Sequence, residues 1–201
     1  MFGVSDTRAT LVRRYAVPRV LGVDPGLTRC GVGVVEGEPG RELRLVEVEV
    51  LRTPSGQPTA ERLHTLHTQM QRWITVHQPD AVAVERVFAD VNVMSVMGTA
   101  QAAAVAMLGA AQHGIPVHLH TPTEVKAAVT GNGRADKAQV TAMVTRLLKL
   151  TERPSPPDAA DALALAICQV WRGGAASRLD EAAVRHTAAR ERAERARQVT
   201  R

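Results

Sequence analysis

The stretch from Pro157 to Ile167 (Pro-Asp-Ala-Ala-Asp-Ala-Leu-Ala-Leu-Ala-Ile) limits most what this chain can fold into. It reads as a helix that is apolar nearly all round, and such a helix is normally buried. Between Arg153 and Arg172 its only charges are Asp158 and Asp161. Three residues apart, they share one helix face. Buried like charges repel and lose hydration, so the pair needs a cation or a proton. Pro156 and Pro157 mark the start, since proline is favoured at the first helical position. Asp158 then lies in the first turn, where the helix dipole favours an anion. The plainer reading is one capping aspartate beside one solvated neighbour.

Other strongly patterned segments repeat the theme of an apolar element ending in an acid. Arg19 to Asp24 reads as a buried strand closing on Asp24. Pro25 to Thr28 is a turn, Cys30 to Val35 a second strand, and Gly37 to Gly40 a hairpin turn. Leu43 to Leu51 alternates and predicts a third strand with one wet face, completing an antiparallel meander. A helix follows over 59–77, where Leu63, Leu66, Met70, Trp73 and Ile74 recur at helical spacing. His64 and His67 have a metal-like spacing there, but their polar neighbours favour a solvated face. Asp80 to Glu85 is again a buried strand closing on a carboxylate. Strand–helix–strand alternation implies parallel pairing with a right-handed crossover. Sites in open α/β sheets form beyond the carboxyl ends of the strands. Asp24 and Glu85 therefore have a geometric reason to meet.

Downstream, Asn92 to His113 predicts a long helix rich in small residues. Ile115 to His120 predicts an edge strand because of Pro116. His118 and His120 alternate with apolar neighbours and are expected on its wetter face. Thr121-Pro122-Thr123-Glu124 is a capping box opening a helix through Val129, Gly131 to Arg134 is a loop, and Asp136 to Leu150 is amphipathic. Composition changes after Trp171. From residue 173 seven arginines and four acids contribute +3 to the net charge. The expected organisation is an N-terminal arm over 1–18, one domain over 19–172 and a basic tail over 173–201.

The net charge of +5 and a pI near 10.0 favour a polyanionic partner such as nucleic acid or an acidic membrane surface. Cys30 and Cys168 read as buried free thiols of a reducing compartment. No N-terminal segment has the apolar core of a signal peptide, and the run near 102–111 is too short to span a bilayer. The expectation is a soluble cytoplasmic protein.

Asp24, Glu85, Asp158 and Asp161 thus stand apart from the surface charges. Hard divalent cations such as Mg²⁺ take oxygen ligands, and two of them about 3.5–4 Å apart can clamp both oxygens of a phosphodiester displacement. Asp24, on the first strand, is the candidate to bridge them. Lys126 and Lys137 flank the glycine loop 131–133, where backbone N–H groups can meet phosphate. Arg86 and Phe88 follow Glu85. An aromatic beside such a site can stack on or wedge between bases; the other reading of Phe88 is a loop anchor folded into the core. For the lysines the other reading is ordinary solvation.

Five segments together carry a resemblance: Gly22-Val23-Asp24-Pro25-Gly26, Val84-Glu85-Arg86-Val87-Phe88, Val125-Lys126, Asp136 to Val140, and Asp158 to Ala164. In this order and spacing, from about Arg19 to Trp171, they resemble the bacterial Holliday-junction resolvases of the RuvC type. The resemblance implies a ribonuclease-H-like α/β fold, a mixed sheet flanked by helices. It implies Mg²⁺-dependent cleavage of four-way junction DNA by paired nicks, with two ions per subunit that Mn²⁺ is able to replace. It implies a homodimer working with a branch-migration motor complex. It assigns metal ligation and catalysis to Asp24, Glu85, Asp158 and Asp161, and DNA contact to Lys126, Lys137, Phe88 and Arg86. The chain departs at Thr99 to Ala104, where many members carry Gly-Gln-Ala-Arg-Gly. A basic contact there is missing or moved.

Two other readings compete. Asp24 to Gly31 also fits the D-x-G-x-T-x-x-G phosphate loop of sugar-kinase and actin-like ATP phosphotransferases. That reading needs a second lobe and leaves Asp158 and Asp161 without a role. A non-catalytic junction-binding module would not need the acid quartet.

Overall fold

The computed structural model describes residues 17–88 and 93–173 of the 201-residue chain. The expected arm and tail lie outside the described residues, apart from residues 17, 18 and 173. The elements are β1 (Arg19–Asp24), β2 (Arg29–Glu36), β3 (Arg44–Arg52), α1 (Thr59–His77), β4 (Ala81–Glu85), α2 (Val93–Gln112), β5 (Val117–His120), α3 (Pro122–Thr130) and α4 (Lys137–Leu147). A final helix, α5, covers 157–173. The strands form one sheet in the order β3-β2-β1-β4-β5. The first three pair antiparallel, while β4 pairs parallel with β1 and with β5. This is the mixed α/β sheet expected of a ribonuclease-H-like fold.

Strand alternation sorts the side chains into two cores. Leu21, Val23, Val32, Val34, Val82 and Val84 pack against α1 and α2. Val20, Val35 and Ala83 pack on the other face against α3, α4 and α5. On that second face β1 and β2 carry glycine where a side chain would stand. A Cβ on Gly22 would overlap the Ala162 carbonyl oxygen and lie 2.7 Å from Ala166 N. A Cβ on Gly31 would overlap the Asp158 carbonyl oxygen, and one on Gly33 would lie 2.8 Å from Leu163 Cδ2. The glycines let α5 lie directly on the strand backbone. Its residues 162–168 are at most 1% exposed, so the near-uniform apolarity of the helix corresponds to burial on nearly every side.

The caps follow the sequence. Thr121 and Glu124 form the capping box of α3, and Asp136 with Gln139 forms that of α4. Glu124 also holds Arg172 at the far end of α5, at 2.9 Å. Two expectations are corrected. The strand expected over 115–120 begins only at Val117; Pro116 has no N–H for the ladder, although its carbonyl accepts from Val82 N. His120 is not on a wet face. It pairs with Glu85 in the β4–β5 register, on the α5 side, where it is 7% exposed and its Nε2 lies 2.8 Å from Gln169 Oε1. Leu119 is the exposed residue of this edge strand, and the apolar side chain was the wrong guide to the buried face.

Candidate active site

The four acids converge at the carboxyl ends of β1 and β4. Because Leu21 and Val23 face α1 and α2, Gly22 and Asp24 must face α5. The parallel register Val23↔Val84 sets Asp24 beside Glu85. The antiparallel register pairs Asp24 with Gly31, and Gly31 lies directly under Asp158. The first turn of α5 thus rests on the strand next to Asp24, and Asp161 follows one turn on. Three elements far apart in sequence deliver four carboxylates to one place.

The electrostatics show that these charges are not balanced. Burial pushes the Asp24 carboxyl up to about 8, and the charges of Glu85, Asp161 and Asp158 add to the shift while Lys137 opposes it. Glu85 is also raised, by burial and then by Asp161, against Lys137 and Lys126. Lys137 Nζ stands 3.2 Å from Asp161 Oδ2, and that charge holds the ammonium above its ordinary range. Arg29 Nε lies 3.5 Å from Asp158 Oδ2, yet that oxygen is buried and accepts no hydrogen bond. Among the described residues no three acidic, histidine or cysteine side chains gather closely enough to form the ligand set of one ion. Arg29 and Lys137 draw Asp158 and Asp161 toward themselves instead. The orphaned buried oxygen of Asp158 and the poorly compensated Asp24 nonetheless fit a hard cation, because the acids offer only oxygen ligands and the nitrogens beside them, of Arg29 and Lys137, carry positive charge and cannot ligate.

Two clefts open on either side of Asp24. The larger, about 650 Å³, is lined by Asp24, Asp158, Thr28, Arg29, Arg62 and Gln101, among others. The smaller, about 230 Å³, runs from Asp24 and Glu85 along Arg86 and Val87 to Phe88. Phe88 is 53% exposed, which excludes the buried loop anchor. Arg86 is also exposed, its backbone N–H donating to the His120 carbonyl. Lys126 is half-buried on α3, near enough to Glu85 to lower its proton affinity. In the run Thr99 to Ala104, Ala102 and Ala103 belong to the core, and the cations lining the larger cleft are Arg29 and Arg62. Sequence reasoning missed both. Arg29 carries no pattern at the start of β2, and Arg62 reads as one polar residue in the first turn of an amphipathic helix.

The family model for the crossover junction endodeoxyribonuclease RuvC matches residues 20–169, the span that contains all four acids. The chain belongs to the RuvC family. Among curated RuvC-family relatives, the crossover junction endodeoxyribonuclease RuvC of a Nocardioides species is 63% identical over 173 residues, covering 86% of this chain and 96% of that one. The protein of the same description from Streptomyces griseus is 64% identical over 168 residues, 84% of this chain and 82% of that one. Among solved structures, RuvC of Thermus thermophilus in complex with a Holliday junction substrate superposes with a TM-score of 0.74 at 34% identity, covering 78% of this chain and 94% of that one. The chain is therefore an endodeoxyribonuclease of the RuvC family. The phosphotransferase reading is not favoured, and Asp158 and Asp161, which it left idle, face Asp24. No helix among the described residues is long and apolar enough to cross a membrane.

Proposed function

We propose that this RuvC-family nuclease resolves four-way DNA junctions by metal-assisted phosphodiester hydrolysis at the acid quartet. The observation that carries this reading is the geometry that brings Glu85, Asp158 and Asp161 to Asp24 from β4 and the first turn of α5, with burial and like charge raising the Asp24 carboxyl. Asp24, Glu85, Asp158 and Asp161 would hold two Mg²⁺ ions, with Mn²⁺ as a substitute. Bound divalent ions would supply Lewis-acid stabilisation of the attacking and leaving oxygens. Lys137 now neutralises Asp161 and would turn to phosphate, with Lys126 beside it. Phe88, exposed at the mouth of the smaller cleft, would stack on bases near the cut, and Arg86 would contact the backbone there.

The junction has two-fold symmetry, so paired nicks call for two sites in one assembly. Met97, Ala100, Ala104, Leu108 and Ala111 of α2 are exposed at helical spacing and form an apolar stripe opposite the buried Ala102, Ala106 and Ala110. That stripe is the proposed homodimer contact. The junction would be delivered by a branch-migration motor complex, and the domain over 19–172 would be the working unit, flanked by a basic arm and tail. The test is cleavage of a synthetic four-way junction with Mg²⁺, beside linear duplex and flap controls. Paired nicks in the junction alone support the reading; indifference to branch structure refutes it.

A further inference from the structure

The larger cleft contains a cation that the acid quartet does not use. Arg62 projects from the first turn of α1, with Nε 3.0 Å from Thr53 Oγ1 and one terminal nitrogen 2.7 Å from Thr28 Oγ1. Both partners are neutral hydroxyls. Thr53 is 3% exposed and passes its own proton to the Leu27 carbonyl, while its backbone N–H donates to the Thr28 carbonyl. These four bonds tie α1 and the end of β3 to the turn that follows Asp24. Arg29, the other cation of the cleft, is spent on Asp158. Arg62 makes no ion pair with any described residue. A guanidinium fixed in a half-buried cleft by neutral partners, with no anion against it, is built to receive one.

We infer that Arg62 binds a backbone phosphate of the strand being cut, on the opposite side of Asp24 from Phe88. The two clefts share Asp24, Pro25 and Thr99, so a strand lying in both passes over Asp24 between the β1 turn and α2. Phe88 would hold the base side of the crossing and Arg62 the phosphate side. Arg62 is then a positioning residue with two jobs. Its hydroxyl contacts hold the Pro25–Thr28 turn, and so Asp24, in place; its remaining guanidinium nitrogen fixes the register of the strand over Asp24. This inference rests on the junction-nuclease reading and names a substrate contact within it.

Two substitutions separate the jobs. Arg62→Gln keeps hydrogen-bonding capacity toward Thr28 and Thr53 but removes the charge. Arg62→Lys keeps the charge but loses the planar fork. Junction binding is measured against salt without Mg²⁺, and cleavage with it. Arg62→Gln should flatten the salt dependence by about one phosphate contact, a change of roughly 0.9 in the log–log slope, and slow cleavage at least about tenfold. Arg62→Lys should keep the wild-type slope. A wild-type slope for Arg62→Gln would overturn the phosphate contact and leave only a turn clamp. Methylphosphonate substitution, one phosphate at a time, tests the same contact on the unaltered protein. Besides the scissile phosphate and the positions met by Lys126, Lys137 and Arg86, one flanking position on the Arg62 side of Asp24 should weaken wild-type binding; if no position on that side does, the inference fails even should the Gln variant not fold. Failure of wild-type protein to cut the junction at all would instead refute the broader reading.

Discussion

The two ends of the β1–β2 strand pair treat charge in opposite ways. At the amino end of β1, Arg19 and Glu36 are register partners, and their side chains meet at 2.5 Å. Arg44 closes on the same carboxylate from β3. One acid lies between two cations, and every charge has an opposite. At the other end Asp24 meets Glu85, Asp158 and Asp161, with burial driving the Asp24 carboxyl up to about 8. The strands are the same, and only four residues separate Arg19 from Asp24. One end closes the sheet; the other stores unfavourable charge that a bound cation would relieve. Proteins leave such imbalance where chemistry is done.

The largest test of this contrast is Asp24→Asn. Cleavage should fall by about three orders of magnitude or more, since several kcal/mol of charge stabilisation go with the carboxylate. Junction binding, which we assign to Lys126, Lys137 and Arg62, should survive. Normal turnover would remove Asp24 from the centre of the site. Next in size is Gly31→Ala. The new methyl would collide with the Asp158 carbonyl oxygen, so α5 must lift from the sheet. A loss of about 3 kcal/mol by denaturant titration is expected, with cleavage lost along with the placement of Asp158. Unchanged stability would mean the helix is not seated as described. The smallest effect sharpens the contrast. Glu36→Gln should destabilise by about 1 kcal/mol, because the pairs it breaks are partly exposed. Asp158→Asn at the other end should be neutral or stabilising in the metal-free protein. Equal losses from both would erase the distinction.

Much of this arrangement is legible in the sequence because it obeys simple periodicities. An apolar run that closes on an acid announces a strand and where it ends, and the meeting of Asp24 with Glu85 was readable on that ground. Asp158 and Asp161 stand out because nothing else in their helix is charged. The glycines of β1 and β2 were less informative. A glycine in a strand announces close approach, but not what approaches, and only the fold shows α5 lying on Gly22 and Gly31. His120 was misjudged because a four-residue edge strand gives alternation without saying which face is covered. Arg62 was invisible for a different reason. Its meaning depends on Thr28 and Thr53, 34 and 9 residues away, and on a cleft that exists only after α1 folds back over the turn.

On the proposed function, the acid end of the sheet is destabilised by its own charge until a cation binds. Asp24 has a folded value above its ordinary one, so the folded protein retains a proton that the unfolded chain releases. Its contribution to stability is fully present below about pH 4 and is lost as pH rises toward 8. The direct measurement is thermal unfolding of metal-free wild type and Asp24→Asn from pH 5 to 8, with and without Mg²⁺. Without metal, Asp24→Asn should be the more stable protein, by up to a few kcal/mol at pH 8 and progressively less at lower pH. Mg²⁺ should stabilise wild type increasingly as pH rises and Asp24→Asn far less. Parallel pH profiles for the two proteins, with equal Mg²⁺ shifts, would mean that Asp24 carries neither the stored charge nor the cation.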